Sequence, residues 1–240
     1  MDSQRLLNLL VAIPAFVAAL TVHEFAHAWM GNRLGDDTAR RMGRLTLDPL
    51  KHLDPFGSLM FVMGALYGYF FGWAKPVPFS PRNLSHPRRD SMLIAVAGPI
   101  SNLLQLPVWL LLLWIGGRVA DRFGNPETKY DALSLLIGHA QSLDPMVMIL
   151  GMLMFGVVIN LTIAAFNMIP LPPLDGHYVL EGLGPPAITE FFDMIRPFSF
   201  MILLVLINLP QPFNILSSVL GPVQLFAYSL IIRTLGLDFG

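Results

Sequence analysis

Two histidines and a glutamate lie inside an apolar run that is long enough to cross a membrane. His23, Glu24 and His27 form the pattern His-Glu-x-x-His within residues 6–30, where Asn8 and Thr21 are the only other strongly polar side chains. Residues i and i+4 of a helix share one face, so the two imidazoles can aim at one metal ion. Glu24 is then within reach of a water bound to that metal. Ionisable groups at membrane depth are costly and mark function, so the pattern predicts a metal centre. Two histidines paired inside a helix bundle are the alternative.

The composition indicates an integral membrane protein. Of the 240 residues, 54% are hydrophobic and 13% are charged, with a mean hydropathy of +0.60, whereas a soluble domain carries about 25% charged residues. The net charge of −1 and the lack of a basic arm give no sign of a nucleic-acid partner. Because there is no cysteine, disulfides, thiolate zinc sites and cysteine nucleophiles are excluded. We expect residues 6–30 to be retained, since the features of a signal peptide are missing.

Six apolar stretches predict an all-α polytopic protein with about five to six transmembrane helices. A span needs about 20 apolar residues. The stretches cover residues 6–30, 56–73, 91–117, 145–168, about 198–209, and 213–235. The second is marginal in length, and the fifth could extend back to residue 188 only by including Glu190, Asp193 and Arg196. We expect a single domain over residues 1–240, with a catalytic core at about 6–183 and C-terminal helices at about 186–235.

Basic residues predict how the chain is threaded through the membrane. Nine of the fifteen Lys and Arg residues lie in two loops, residues 32–55 and 74–90. The positive-inside rule puts both loops in the cytoplasm. Residues 56–73 would then enter and leave by one face as a re-entrant segment, which is tolerated only inside protein or a watery cavity. A tightly packed ordinary span is an alternative of equal weight.

Asp175 offers a third metal ligand in an apolar stretch broken by prolines. Catalytic zinc takes three protein ligands and leaves one position for water. Pro170, Pro172 and Pro173 force an extended path before Asp175. A carboxylate there is costly unless a cation pairs with it, although a surface Asp-Gly turn is the alternative. If residues 56–73 are re-entrant, Asp175 returns to the membrane depth of the two histidines, whereas one more crossing would put it on the opposite face.

These segments together resemble the site-2 protease family of intramembrane zinc metalloproteases, in its short form without PDZ or CBS domains. The resemblance implies that His23, His27 and Asp175 bind one zinc ion and that Glu24 is the general base. The matching segments follow the family order and are HEFAH at 23–27, GWAKPVPFSPRNL at 72–84, AGPISNLL at 97–104, and NLTIAAFNMIPLPPLDG at 160–176.

The resemblance also implies that Asn102 and Asn167 lie at the site and bind substrate. His177 departs from the family pattern, because many relatives have glycine after the Asp-Gly pair. The implied activity is hydrolysis of peptide bonds within or near transmembrane segments of membrane proteins. The expected partners are a transmembrane protein substrate and the lipid bilayer, with the site toward the cytoplasmic side of the cell membrane.

Short extended pieces are expected near the site. A substrate helix must unwind before hydrolysis, because its carbonyls are bonded internally, and an edge strand could receive it by strand addition. The proline-spaced residues 75–79 suit such an edge, although an ordinary loop fits as well. His52 could approach the metal or the oxyanion, but an interfacial residue bonded to Asp48 or Asp54 is favoured.

A membrane metal transporter or metal sensor is the alternative function, because the same ligands could pass or report an ion. Such a protein needs polar residues along a path beyond the site. The spans offer few: Ser101, Asn102 and Gln105 near one end of residues 91–117, and mainly hydroxyls and Gln224 in residues 213–235. The intact Glu24 argues against a catalytically inactive scaffold.

Overall fold

The structure, a computed structural model, is built mainly from helices. It describes residues 3–67, 72–137, 143–209 and 214–237. In these residues the α-helices are α1 (Ser3–Arg33), α2 (Thr38–Arg41), α3 (Pro55–Tyr67), α4 (Pro87–Phe123), α5 (Thr128–Leu136), α6 (Pro145–Asn167), α7 (Gly176–Leu183), α8 (Pro186–Ile195), α9 (Ser199–Asn208) and α10 (Ile215–Leu235). Extended pairing within the same residues is limited to an isolated antiparallel bridge between Leu53 and Ala74. The all-α prediction is therefore confirmed, and the extended pieces expected near the site reduce to this bridge.

Four of the described helices are long and apolar enough to cross a membrane. They run over Leu7–Arg33, Pro87–Phe123, Pro145–Asn167 and Ser217–Leu235. These helices correspond to the predicted stretches 6–30, 91–117, 145–168 and 213–235, and the protein is membrane-embedded. The two remaining stretches contain the shorter helices α3 and α9, so any crossing beyond these four stays a prediction.

The long helices form one bundle in which sequence neighbours run antiparallel. Gly31, close to the end of α1, packs against Ile94 near the start of α4. Gly116, toward the end of α4, packs against Leu150 near the start of α6. Consequently the last residues of α1, the first of α4 and the last of α6 lie together on one side of the bundle. We name this side the proximal end and the opposite side the distal end.

Helix α10 runs from the proximal to the distal end. Val223, in its first half, lines an apolar groove together with Pro99 near the start of α4, whereas Leu235 at its end packs on Gly117. The distal half of the bundle is an apolar core. Its buried members include Leu113, Leu135, Leu150, Met154, Val157 and Ile231.

Helix α3 and the chain that follows it leave and rejoin the proximal end. Phe61 stacks on Phe16 of α1 with ring centroids 3.9 Å apart. Gly72 packs back against Phe61, and Ala74 pairs with Leu53. Because residues 68–71 lie outside the described residues, the re-entrant segment stays a prediction.

Helix α9 is also short. Its 10 residues extend about 15 Å, roughly half the hydrocarbon thickness of a bilayer. Phe200 near its start meets the ring of Trp73 edge-on, with centroids 5.7 Å apart. Glu190 and Asp193 belong to the separate helix α8, and a 3₁₀ turn over Arg196–Phe198 joins it to α9. The possible backward extension of the fifth stretch is therefore a second helix.

Gly156→Ala is expected to lower the free energy of unfolding by about 1–3 kcal/mol through overpacking. Gly156 of α6 lies under the Trp109 ring of α4, where an added Cβ would be 2.2 Å from Cε3. Gly221→Ala on α10 is the matched control, because an added Cβ there meets no atom within 4 Å. Thermal unfolding of both variants in detergent tests this packing, and equal stability of the two would contradict it.

Candidate metal centre

His23 and His27 face α4 from successive turns of α1. Both side chains are buried, with exposed fractions of 3% and 8%, and their Nε2 atoms are 3.0 Å apart. Gly98 allows the backbone of α4 to approach: a Cβ at this residue would lie 2.4 Å from His27 Nε2 and 2.6 Å from His23 Nε2. The predicted pair of imidazoles thus lies where α1 and α4 touch, and the contact requires a residue without a side chain.

A buried amide network fixes the orientation of His23. Its Nδ1 donates to Asn102 Oδ1 at 2.7 Å. The Asn102 amide is itself oriented, because its Nδ2 donates to the Ala19 carbonyl at 3.2 Å and to Asn160 Oδ1 at 2.9 Å. A neutral imidazole that carries its hydrogen on Nδ1 has a lone pair on Nε2. His23 therefore presents an acceptor toward His27.

His27 is held in the same tautomer by the backbone. Its Nδ1 donates to the Ile94 carbonyl at 2.7 Å, and a carbonyl can only accept. Its Nε2 therefore also carries a lone pair. Partners of this kind on the far nitrogen orient histidine ligands and raise their basicity in metal sites.

Asp175 brings a third acceptor to the same point. The proline-rich chain after α6 delivers it directly before α7, and its Oδ2 lies 3.2 Å from His23 Nε2 and 3.4 Å from His27 Nε2. As a carboxylate, Asp175 offers lone pairs and no hydrogen, so this oxygen is an acceptor like the two Nε2 atoms.

These three atoms fit a metal ion. Their separations are 3.0, 3.2 and 3.4 Å, and with both imidazole hydrogens on Nδ1 no hydrogen lies between them. Lone pairs at such distances repel one another unless a cation lies among them. A tetrahedral zinc site with bonds of about 2.0–2.1 Å has ligand–ligand edges of about 3.3–3.4 Å. The donor set of two imidazoles and one carboxylate is also that of known catalytic zinc sites.

Glu24 lies beside this cluster at the wall of a cavity. Its side chain is buried, and Oε2 accepts a hydrogen bond from the Val77 N–H at 3.1 Å. The cavity has a volume of about 440 Å³. Its lining includes His27, Glu24, Val77, Asn167, Asp175 and Phe200. The carboxylate therefore stands between the three candidate ligands and the proline-spaced residues 75–79.

Comparison with known proteins identifies the family. Residues 11–206 match peptidase family M50. The chain belongs to this family. The M50 match covers the whole described centre, from α1 to α7, and the predicted relationship to the site-2 protease family is confirmed.

Several bacterial proteins are similar to this M50 chain over most of its length. "Putative zinc metalloprotease YwhC" of Bacillus subtilis is 34% identical over 194 residues, which is 81% of this chain and 78% of that protein. "Putative zinc metalloprotease Rip2" of Mycobacterium tuberculosis is 28% identical over 206 residues, which is 83% of this chain and 67% of that protein. The Rip2 of Mycolicibacterium smegmatis is 26% identical over 201 residues, which is 84% of this chain and 68% of that protein. No solved structure matches the chain.

The two asparagines predicted to bind substrate occupy different environments in the M50 chain. Asn102 is fully buried. Its Oδ1 accepts from His23, and its Nδ2 donates to the Ala19 carbonyl and to Asn160. Direct contact of Asn102 with substrate does not fit this burial; the residue orients a candidate ligand instead. Asn167 ends α6, donates to the Ile163 carbonyl at 3.1 Å and lines the cavity. Its contact with substrate stays a prediction.

His52 does not reach the centre. It is fully buried, and its Nε2 lies 2.7 Å from the Thr46 carbonyl. The predicted bond to Asp48 or Asp54 is wrong. Those carboxylates instead accept from backbone N–H groups at the start of the 3₁₀ turn Pro49–Lys51 and of α3.

His177 is a packing residue rather than a fourth ligand. Its Nδ1 lies 2.5 Å from the Leu174 carbonyl, and its ring contacts Tyr178 and Phe192. Burial lowers the pKa of this imidazole, which is therefore neutral. Among the described residues, the group of converging ligand atoms contains His23, His27 and Asp175 but not His177.

Buried polar groups that sequence reasoning missed hold residues 74–80 against the site. Arg44 donates to the Lys75 carbonyl at 2.5 Å, and the Lys75 N–H donates to the His52 carbonyl at 2.8 Å. Asp36, only 1% exposed, accepts from the Ser80 N–H at 2.7 Å. A charged residue in a basic loop gives no sequence signal of burial. The segment is thus anchored at both ends, with the Glu24 contact between them.

Asn160 was also missed, although a signal for it existed. It is fully buried in α6, and its Nδ2 donates to the Gly156 carbonyl at 2.8 Å, which turns its oxygen toward Asn102. A polar side chain inside an apolar span is read as functional by default. This rule, applied to residues 145–168, would have given Asn160 as a candidate.

Asn102→Ala is expected to weaken zinc affinity by about 10–100-fold, the usual effect of removing the partner of a metal-bound histidine. Asn167→Ala is the matched control, since its recorded side-chain bond stays within α6. Competition with a chromophoric chelator measures both affinities. Equal zinc affinity of Asn102→Ala and the unmodified chain would contradict the orienting role.

Proposed function

We propose that this M50 chain is an intramembrane zinc endopeptidase that hydrolyses peptide bonds within or near transmembrane segments of other membrane proteins. The observation that carries the proposal is the convergence of His23, His27 and Asp175 at 3.0–3.4 Å beside Glu24. Family membership supports peptidase chemistry. The position of the pair in α1, with His23 ten residues before its end and thus about 15 Å along the helix axis, supports action at membrane depth.

Each polar residue of the centre has a defined task in such a reaction. His23, His27 and Asp175 would hold one zinc ion, and Asn102 would keep the first imidazole in its binding tautomer. When bound, zinc polarises a carbonyl and lowers the pKa of a coordinated water. Glu24 would accept a proton from that water and deliver it to the leaving amine. The surrounding apolar helices would strengthen these charge interactions by excluding bulk water.

A substrate would bind as an unwound segment. The carbonyls of a helix are bonded internally, so a helical substrate offers none to the centre. Ala74, Pro76, Val77 and Phe79 line the cavity, which supports strand addition along this anchored segment. Because Pro76 and Pro78 have no N–H, hydrogen bonds at these residues would run from a substrate N–H to a proline carbonyl.

The proximal end is proposed to face the cytoplasm, with the cell membrane as the location. Both basic loops, residues 32–55 and 74–90, join helices at this end, and they hold nine of the fifteen Lys and Arg residues. The positive-inside rule supports this orientation. Water and the cleaved products would then be exchanged with the cytoplasmic side.

Glu24→Gln is expected to reduce cleavage by about 10²–10⁴-fold, the usual contribution of a general base, while zinc stays bound. The unmodified chain and the variant are each reconstituted with a total membrane-protein extract, and new N-termini are mapped by mass spectrometry. New termini inside apolar segments should arise with the unmodified chain only. The same termini at the same rate with Glu24→Gln would contradict the general-base assignment.

His23→Ala and Asp175→Ala are each expected to lose the zinc ion, because two remaining ligands bind zinc far more weakly than three. His86→Ala is the matched control, as His86 is exposed and lies outside the cluster. Metal analysis of the purified proteins should give one zinc per chain for the control and little for the other two. Full zinc content in both ligand variants would refute the proposed site.

The alternative of a metal transporter or sensor has less support. The buried polar residues of the described part of α4 and α6 are Asp90 and Ser91 at the start of α4, and Asn102 and Asn160 at the level of the centre. The bundle beyond them is apolar, with Leu113, Leu150 and Met154 fully buried. Zinc uptake into vesicles by Glu24→Gln, together with no cleavage by the unmodified chain, would favour this alternative.

A further inference from the structure

Helix α8 packs on the site through one face. Ile188, Phe192 and Ile195 recur at the spacing of a helix face, and Phe192 is only 3% exposed. The Phe192 ring meets His177 edge-on, with centroids 5.7 Å apart. His177 is two residues from Asp175, so α8 supports the segment that carries a candidate ligand.

A second face of α8 is an exposed apolar stripe. Phe191 and Met194 of α8 are 52% and 65% exposed, and Phe198 at the end of the following 3₁₀ turn is 56% exposed. The stripe continues onto α9, where Met201 and Val205 are 59% and 55% exposed. Contiguous exposed apolar side chains mark a surface that contacts lipid or protein. Helix α9 belongs to a membrane-embedded chain and is apolar between Ser199 and Asn208 at its two ends.

A third face of α8 is charged and leads to the cavity. Glu190 and Asp193 are exposed, and Arg196 pairs with Asp193 at 3.1 Å and with Glu181 at 3.3 Å. Arg196 also lines the cavity. Charged groups of this kind are costly in hydrocarbon. At about 100° of rotation per residue, Asp193 lies on one side of the packing face and Phe191 on the other, and Glu190 and Met194, four residues apart, are neighbours where the charged face meets the stripe.

We propose that α8 is the wall between lipid and the aqueous mouth of the cavity. Its stripe of Phe191, Met194 and Phe198 contacts the acyl chains, and its face of Glu190 and Asp193 contacts water. Lipid is the occupant that the stripe fits, because the stripe is continuous with the exposed apolar surface of α9 and ends where the charges begin. The inference does not depend on peptidase activity.

Site-directed spin labelling tests the proposal directly, because the chain has no cysteine. Phe191→Cys and Met194→Cys probe the stripe, and Glu190→Cys probes the charged face. Leu111→Cys on an exposed part of α4 serves as the lipid reference, and Ser85→Cys in a proximal loop as the aqueous reference. Each full-length labelled protein is placed in phosphatidylcholine nanodiscs, and its accessibility to oxygen and to a water-soluble nickel complex is measured.

Labels at Phe191 and Met194 should match the lipid reference, with oxygen access several-fold above nickel access, and the Glu190 label should match the aqueous reference. Nickel access at the stripe equal to that at Glu190 would overturn the lipid contact. Exclusion of both reagents from the stripe would also overturn it, since a protein surface or a second copy would then cover these residues. If the nickel complex did not reach the label at Glu190, the proposal that this face contacts water would be overturned.

Discussion

Mutual repulsion among three acceptor atoms is the constraint around which this molecule is organised. Two imidazole nitrogens and a carboxylate oxygen are held within 3.4 Å of one another, and each imidazole has its hydrogen committed elsewhere. Such an arrangement is unfavourable in a low-dielectric interior unless a cation neutralises it. The bundle that brings the three atoms together is thus organised around a positive charge.

Four buried polar side chains serve this constraint. Asn102 and Asn160 connect α1, α4 and α6 at the level of the centre. Arg44 and Asp36 hold residues 74–80 beside it through backbone hydrogen bonds. Each satisfies a backbone or side-chain partner, as buried polar groups must. These four residues therefore lie around the centre and the segment next to it.

Sequence reasoning found the residues whose role follows from their spacing or their local sequence context. His23 and His27 follow from helical periodicity, and Asp175 follows from the cost of a carboxylate in an apolar, proline-broken stretch. It did not find contacts made over long separations: Asn102 bonds to His23 across 79 residues, and His52 bonds to a backbone carbonyl that no pattern marks. Helix lengths were also underdetermined, because a half-length apolar helix such as α9 has the same composition as a full span.

The close contact at Gly98 joins the metal centre to the stability of the bundle. Because α4 touches both imidazole nitrogens there, the centre exists only while α1, α4 and the segment before α7 are docked. A ligand that binds only the folded state adds RT ln(1 + [L]/Kd) to its stability, about 4 kcal/mol at a thousandfold excess over Kd. Metal supply and resistance to unfolding are thermodynamically linked in such a protein. Loss of the ion would therefore lower the stability of the docked arrangement of α1 and α4 on which the geometry of the centre depends.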